Sequence, residues 1–237
     1  MVDLFHNPEV DPKVFGWWPL CENLLVLHDE IPDWSDISQT SLVLERDSLA
    51  IYEPTFGHPF RVSSEEVTRH ASATSLLCRA CGVAKSDFTL LDGFGGFGID
   101  ALALAHFSRV EVVERDALTF IVLVELASRF QLPVTAVHGD VFDRMSASKP
   151  YDVVYLDPMF PRRNKKALPN QAMQFLQLRD LECEQECEQA IDLPNLLERA
   201  QEAALDRVVL KRRSKDSVVG SPNHSIVGKS VRFDVYR

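Results

Sequence analysis

The stretch Leu90-Leu-Asp-Gly-Phe-Gly-Gly-Phe-Gly-Ile-Asp100 limits what this chain can fold into more than any other. A short apolar run leads directly into a turn holding Gly93, Gly95, Gly96 and Gly98, and a helical pattern follows. Glycines at such a turn let the backbone approach a ligand closely, and the helix start offers unpaired amide donors. Nucleotide-binding folds of many kinds share a loop like this, so it predicts an open α/β sheet without choosing the ligand.

From Phe88 onward, β runs alternate with helical stretches, the pattern of a parallel sheet covered on both faces. The strand candidates are Phe88–Leu91, Val110–Val113, Val134–Val137, Val153–Leu156 and Val208–Leu210. Between them lie the helix candidates Ile99–Phe107, Leu118–Phe130 and Leu193–Leu205, the last entered through Asp192, a natural N-cap. Two β segments joined at Gly228-Lys229 predict a C-terminal antiparallel hairpin closing a doubly wound sheet. The first 88 residues read differently. Leu42 to Tyr52 has two apolar runs around Arg46-Asp47-Ser48 and predicts a hairpin, and Val67 to Ala80 predicts a helix ending near Gly82. The expected division is a small N-terminal α+β subdomain, residues 1–88, capping the substrate side of a catalytic domain, residues 89–237.

No run approaches the ~18 apolar residues of a membrane helix, and the N-terminus carries neither a secretory signal nor a transit pattern, so the expected compartment is the cytoplasm. Five cysteines in such a chain predict reduced thiols. Cys78 and Cys81 have metal-ligand spacing, and Cys183 with Cys187 supplies a second pair. The first pair falls in a helical pattern without a zinc-knuckle turn and the second in an acidic run, so no metal is expected. The formal charge is −10, which argues against a protein that coats nucleic acid everywhere. Within it, Arg162, Arg163, Lys165 and Lys166 form one basic knot, and Lys211, Arg212, Arg213 and Lys215 another. Both follow predicted strand ends, where they can meet the phosphates of a local anionic partner.

The remaining strand ends carry the chemistry. Glu114 stands 22 residues past Asp92 and closes the next strand, where a carboxylate accepts hydrogen bonds from ribose hydroxyls. Asp140 closes the third and can face an adenine amino group. The fourth runs Tyr151-Asp-Val-Val-Tyr-Leu-Asp-Pro-Met-Phe-Pro161 and places a carboxylate, a rigid turn and an aromatic ring beside the same crevice. This resembles the Asn/Asp-Pro-Pro-aromatic motif of methyltransferases that modify exocyclic amines of bases. A conjugated amine is a poor nucleophile. The Asp157 carboxylate and the Pro158 carbonyl can orient it while Phe160 stacks on the base. A nicotinamide oxidoreductase shares the glycine loop and Glu114 but gives no reason for Asp157-Pro-Met-Phe160.

Over Leu90 to Tyr236 the chain resembles the ribosomal small-subunit methyltransferase J family, of the class I S-adenosylmethionine fold. The resemblance rests on Tyr155-Leu-Asp-Pro-Met-Phe-Pro161 with Lys165, Ala167-Leu168 and Met173. It also draws on Asp92 with Gly96, Gly98 and Asp100, on Glu114-Arg115, on Val208 to Arg212 and on Arg232 to Tyr236. It implies a Rossmann-like doubly wound sheet and methylation of the N2 amine of a guanosine in 16S rRNA of the small ribosomal subunit. It implies S-adenosylmethionine contacts at Ile99-Asp100, Glu114-Arg115, Asp140-Val141 and Asp157, with Asp92, Gly93, Gly96 and Gly98 shaping the loop. Ile99 stands where the family commonly has Arg, and Asp140-Val141 where it has a Ser pair. The expected partner is 16S rRNA or the small subunit, with no DNA and no membrane. Another amine-directed methyltransferase, or a non-catalytic ribosome-assembly factor on the same fold, are the alternatives.

Overall fold

Residues that alternate between two apolar faces build the centre of this protein, seen in a computed structural model that describes residues 1–63, 72–83, 88–147, 150–159, 170–187 and 191–237. Five parallel strands, β6 (Thr89–Asp92), β7 (Arg109–Glu114), β8 (Val134–His138), β9 (Tyr151–Leu156) and β10 (Ala204–Arg213), follow the predicted positions with slightly wider bounds. Two more, β11 (His224–Val227) and β12 (Val231–Tyr236), form the predicted terminal hairpin, and β12 pairs antiparallel with β10. The strand order is β11-β12-β10-β9-β6-β7-β8. It reverses direction between β9 and β6, where an open α/β sheet binds ligands.

Alternation sends Leu90, Val112, Val153, Tyr155 and Val209 to one face, and Leu91, Val113, Val154, Leu156 and Leu210 to the other. The first face is covered by α2 (Leu76–Cys81), α3 (Ile99–Leu104) and α4 (Ala117–Phe130), together with residues of the N-terminal strands. The second is covered by α5 (Val141–Ala147) and α7 (Leu193–Ala203). A short helix, α1 (Trp18–Cys21), precedes them, and α6 (Gln171–Cys187) lies between β9 and α7 in sequence. Asp192 caps α7 through Asn195, as the sequence predicts, and Asp116 caps α4 through Thr119.

Three expectations need correcting. Helix Val67–Ala80 does not run through: Ser72–Ser75 is a turn, Ser75 caps Cys78, and α2 begins at Leu76. The part of that helix at 67–71 lies outside the described residues. Helix Ile99–Phe107 stops at Leu104, and helix Leu193–Leu205 stops at Ala203 because pairing with β9 begins at Ala204. The first residues also hold more strand than the hairpin alone. β3 (Ser41–Glu45) and β4 (Ser48–Tyr52) pair as expected, with Arg46 at φ 57° in the turn. β1 (Val2–His6) and β2 (Leu25–His28) add parallel strands, and β5 (Pro59–Phe60) closes the five-stranded sheet β2-β1-β3-β4-β5.

The pairing of β10 with β9 contains an irregularity. Ala204 faces Tyr151, yet Arg207 faces Val153, so β10 spends one extra residue before the register resumes through to Leu210 opposite Leu156. The hairpin end is fixed by charge. Asp234 is fully buried and accepts from Arg232 Nε and Nη2 at 2.8 Å and from Ser225 Oγ at 2.6 Å. Removing the carboxylate leaves a buried guanidinium without its counter-ion, so Asp234→Ala is expected to cost about 3–5 kcal/mol. Urea unfolding at pH 7 checks this; a loss below about 1 kcal/mol would mean that Arg232 reaches solvent instead.

Candidate functional site

The glycine turn is stitched to the strands on either side of it. Gly93 N–H donates to the Tyr155 carbonyl (2.9 Å), Gly95 N–H to the Val113 carbonyl (2.8 Å) and Gly96 N–H to Glu114 Oε2 (2.7 Å). A Cβ on Gly95 would sit 2.6 Å from Val112 Cγ2 and 2.9 Å from Leu123 Cδ1, so the turn reaches this depth only without a side chain. Gly98, at φ 77°, takes the left-handed backbone that starts α3.

Glu114 ends β7, and its carboxylate ties down the loop. Oε2 holds Gly96, and Oε1 accepts from Asp116 N–H at 2.8 Å. Burial pushes this carboxyl up to about 7, against the opposing pull of those two amides. Each oxygen retains a lone pair for a further donor.

At the ends of β6, β9 and β10 and the start of α3, five ionisable groups crowd together. The β9–β10 register, with Leu210 opposite Leu156, brings Lys211 level with Asp157. Lys211 Nζ donates to Asp157 Oδ2 (2.7 Å) and to Asp100 Oδ2 (2.8 Å), and the Tyr155 hydroxyl donates to the same Asp100 oxygen (2.6 Å). Asp92 lies beside them, 1% exposed, accepting from Phe94 N–H. Burial, then the neighbouring Asp100, holds the Asp92 carboxyl far above the usual range. Burial also raises Asp157, and the Lys211 ammonium draws it back. Burial disfavours that ammonium, yet Asp100 and Asp157 outweigh it and keep Lys211 charged.

Two cavities open around this cluster. The larger, about 730 Å³, is lined by Asp92, Ile99, Asp100, Pro158, Lys211 and the rim cations Arg213, Lys215 and Lys229, among others. The smaller, about 320 Å³, has Gly93, Glu114, Arg115, Asp140, Val141 and Asn195 in its wall. Phe94, Gly96, Asp157, Met159 and Leu176 border both. Two ion pairs anchor α6 over this shared wall: Arg115 Nη2 to Asp180 Oδ1 at 3.1 Å, and Arg179 Nε to Asp116 Oδ2 at 3.2 Å.

Most residues singled out in the sequence therefore meet in one place. Gly98 lines neither cavity, and Asp140 caps its own turn through Phe142 N–H. Lys211 and Arg212, expected to meet phosphates, are held inside the protein. Lys211 is engaged by two carboxylates, and Arg212 is 8% exposed with Asp216 at 3.8 Å. Phe160, Arg162, Arg163, Lys165 and Lys166 lie outside the described residues. Cys78 and Cys81 are buried thiols whose protons burial holds in place. The sequence reading missed α6, although Ala172, Phe175 and Leu176 follow helical spacing. With it went Leu176, Arg179 and Asp180.

Residues 35–237 match the family described as "Putative SAM-dependent methyltransferase". A protein of Marinobacter nauticus named ribosomal RNA small subunit methyltransferase J is 32% identical over 219 residues, 82% of this chain and 76% of that protein. One of the same name from Magnetococcus marinus is 36% identical over 174 residues, 68% of this chain and 66% of that protein. The crystal structure of a SAM-dependent methyltransferase from Neisseria gonorrhoeae superposes with a TM-score of 0.72 at 21% identity, covering 99% of this chain and 95% of that one, and so shares the fold. The chain belongs to the S-adenosylmethionine-dependent methyltransferase family whose relatives carry the name ribosomal RNA small subunit methyltransferase J.

Proposed function

We propose that this protein transfers a methyl group from S-adenosylmethionine to the exocyclic N2 amine of a guanosine in 16S rRNA of the small ribosomal subunit. One observation carries the reading: a half-buried carboxylate, Asp157, stands on the border between a cavity beside the glycine loop and a second, larger one. The relatives' name supplies the substrate class.

The residues fit the cofactor. A ribose can donate to the remaining lone pairs of Glu114, with the adenine end in the smaller cavity near Asp140 and Val141. The carboxylates of Asp100 and Asp157 suit a ligand that carries an ammonium and a sulfonium, with Asp92 beside them as a hydrogen-bonding neighbour. When bound, the cofactor supplies an activated methyl group whose bonding pair returns to sulfur on transfer. The protein's own part is alignment. Asp157 accepts a hydrogen bond from the amine, the Pro158 carbonyl accepts a second, and Phe160 stacks on the base. Asp157 then takes the proton that the nitrogen sheds and passes it to water. A base inside a folded RNA must swing out to enter such a cavity.

The basic knot Arg162, Arg163, Lys165 and Lys166, with the rim cations Arg213, Lys215 and Lys229, is assigned to rRNA phosphates. Residues 1–88 are assigned to a substrate-side cap and residues 89–237 to the methyltransferase domain. Among the described residues no helix is long and apolar enough to cross a membrane, and a ribosomal substrate puts the enzyme in the cytoplasm.

Two outcomes are expected. Asp157→Ala should keep a cooperative fold and much of the S-adenosylmethionine affinity, and lose about 10²–10⁴ in turnover on small subunits from cells lacking the endogenous enzyme. Labelled N2-methylguanosine at one position in the wild-type digest is the reference; wild-type turnover in Asp157→Ala would remove the role. For Glu114, the raised carboxyl means that below about pH 7 the free protein holds a proton that ribose binding must displace. The dissociation constant should therefore fall as pH rises, by up to about tenfold per unit, and level off above about 7. In Glu114→Gln, binding should be about 10- to 100-fold weaker and nearly independent of pH, as calorimetry would read.

A further inference from the structure

Lysine is an unusual choice for the end of a buried parallel strand, because its ammonium loses water there and must be compensated. In this protein the compensation is complete enough to hold it. Lys211 Nζ lies 2.7 Å from Asp157 Oδ2 and 2.8 Å from Asp100 Oδ2, and the side chain keeps only 20% of its surface exposed. Turning outward to a phosphate would break both of these contacts. Among the described residues, Oδ2 is the Asp157 oxygen that receives a donor, and Oδ1 has none.

An amine substrate needs an acceptor, and a carboxyl group in this place tends toward the protonated, donating form. It shares its surroundings with Asp92 from β6, Asp100 from α3 and the Tyr155 hydroxyl from β9. The Cys78 and Cys81 thiols of α2 lie behind Asp100, and Arg213, Lys215 and Lys229 stand at the cavity rim. Lys211 is the cation in hydrogen-bond contact with Asp157.

Resting on the amine-methylation reading above, we propose that Lys211 is a positioning residue for methyl transfer. Its ammonium bridges Asp157 and Asp100, keeps Asp157 in its accepting form and turns the free Oδ1 toward the substrate amine. It touches neither substrate nor phosphate.

The test pairs kinetics with a measurement that needs no substrate. With small subunits as substrate, wild-type kcat should be flat between about pH 6.5 and 8.5. Lys211→Met should lower kcat about 10-fold at pH 6.5 with KM within about twofold, and regain most of that loss by about pH 8.5. Lys211→Arg, which restores the cation, should recover the flat profile. Separately, the ¹³C carboxyl resonance of Asp157, assigned by its disappearance in Asp157→Asn, should read as carboxylate from pH 5.5 to 8 in wild type. It should titrate within that range in Lys211→Met. A wild-type Asp157 that titrates near neutrality overturns the proposal, even if Lys211→Met does not fold. So does a Lys211→Met enzyme with the wild-type rate and profile. If wild-type enzyme transfers no methyl to the subunits but Asp157 titrates as described, the clamp stands and the substrate assignment falls.

Discussion

A chain that buries three carboxyl groups within reach of one another has to find positive charge for them, or leave them protonated and unable to accept. Lys211 supplies that charge here, and the arrangement around it is inherited from the sheet. Asp92, Asp157 and Lys211 sit at or just beyond the C-terminal ends of three adjacent parallel strands, and Asp100 enters from the first turn of the helix that β6 feeds. The pairs differ in kind. Asp100 and Asp157 share the ammonium, whereas burial pushes Asp92 toward its neutral form, which contributes shape and hydrogen bonding more than charge.

The cofactor side is organised by a different device. Glu114 spends both oxygens on backbone amides, so the same carboxylate that faces the smaller cavity also fixes the glycine turn to β7. Next to it, Arg115 and Asp116 reach across to Asp180 and Arg179 and hold α6 in place. Three consecutive residues at one strand end thus secure the floor and the roof of the site. Loss of any one would be felt at the others, because they belong to one hydrogen-bonded unit.

Much of this could be read from the sequence because its signals are local. An apolar run meeting glycines, an acidic residue at the next strand end and the Asp157-Pro-Met-Phe160 turn each depend on a few neighbouring residues, and the structure gathers Asp92, Glu114 and Asp157 around one crevice. The ends of β6, β7 and β8 shifted by only a residue, for the same reason, whereas β10 runs four residues further at its start and three at its end. What could not be read depends on tertiary partners. Lys211 looks like part of a basic run, and only the register of β10 against β9 turns it inward. Helix α6 is weakly amphipathic and is held by ion pairs 63 and 65 residues away in sequence, so periodicity gave it little weight. β1 and β2 pair with each other and, through β1, with β3, across connections far too long for a hairpin signal.

The extra residue that β10 spends between Ala204 and Arg207 acts as a setting for the reaction centre some four residues further on. Were it paired one for one instead of bulged out, Leu210 would arrive opposite Asp157, an isobutyl group would meet the carboxylate, and Lys211 would overshoot by one place onto the opposite face. Because α7 runs into β10 with no connecting residue, little slack exists upstream to correct such an error. One-for-one pairing through this segment, far from any ligand, would therefore rewrite the electrostatics of the site while leaving every residue of the site in the sequence, whereas deletion of the extra residue would keep Lys211 level with Asp157. The length of that bulge is as much a part of the site's definition as the side chains it delivers.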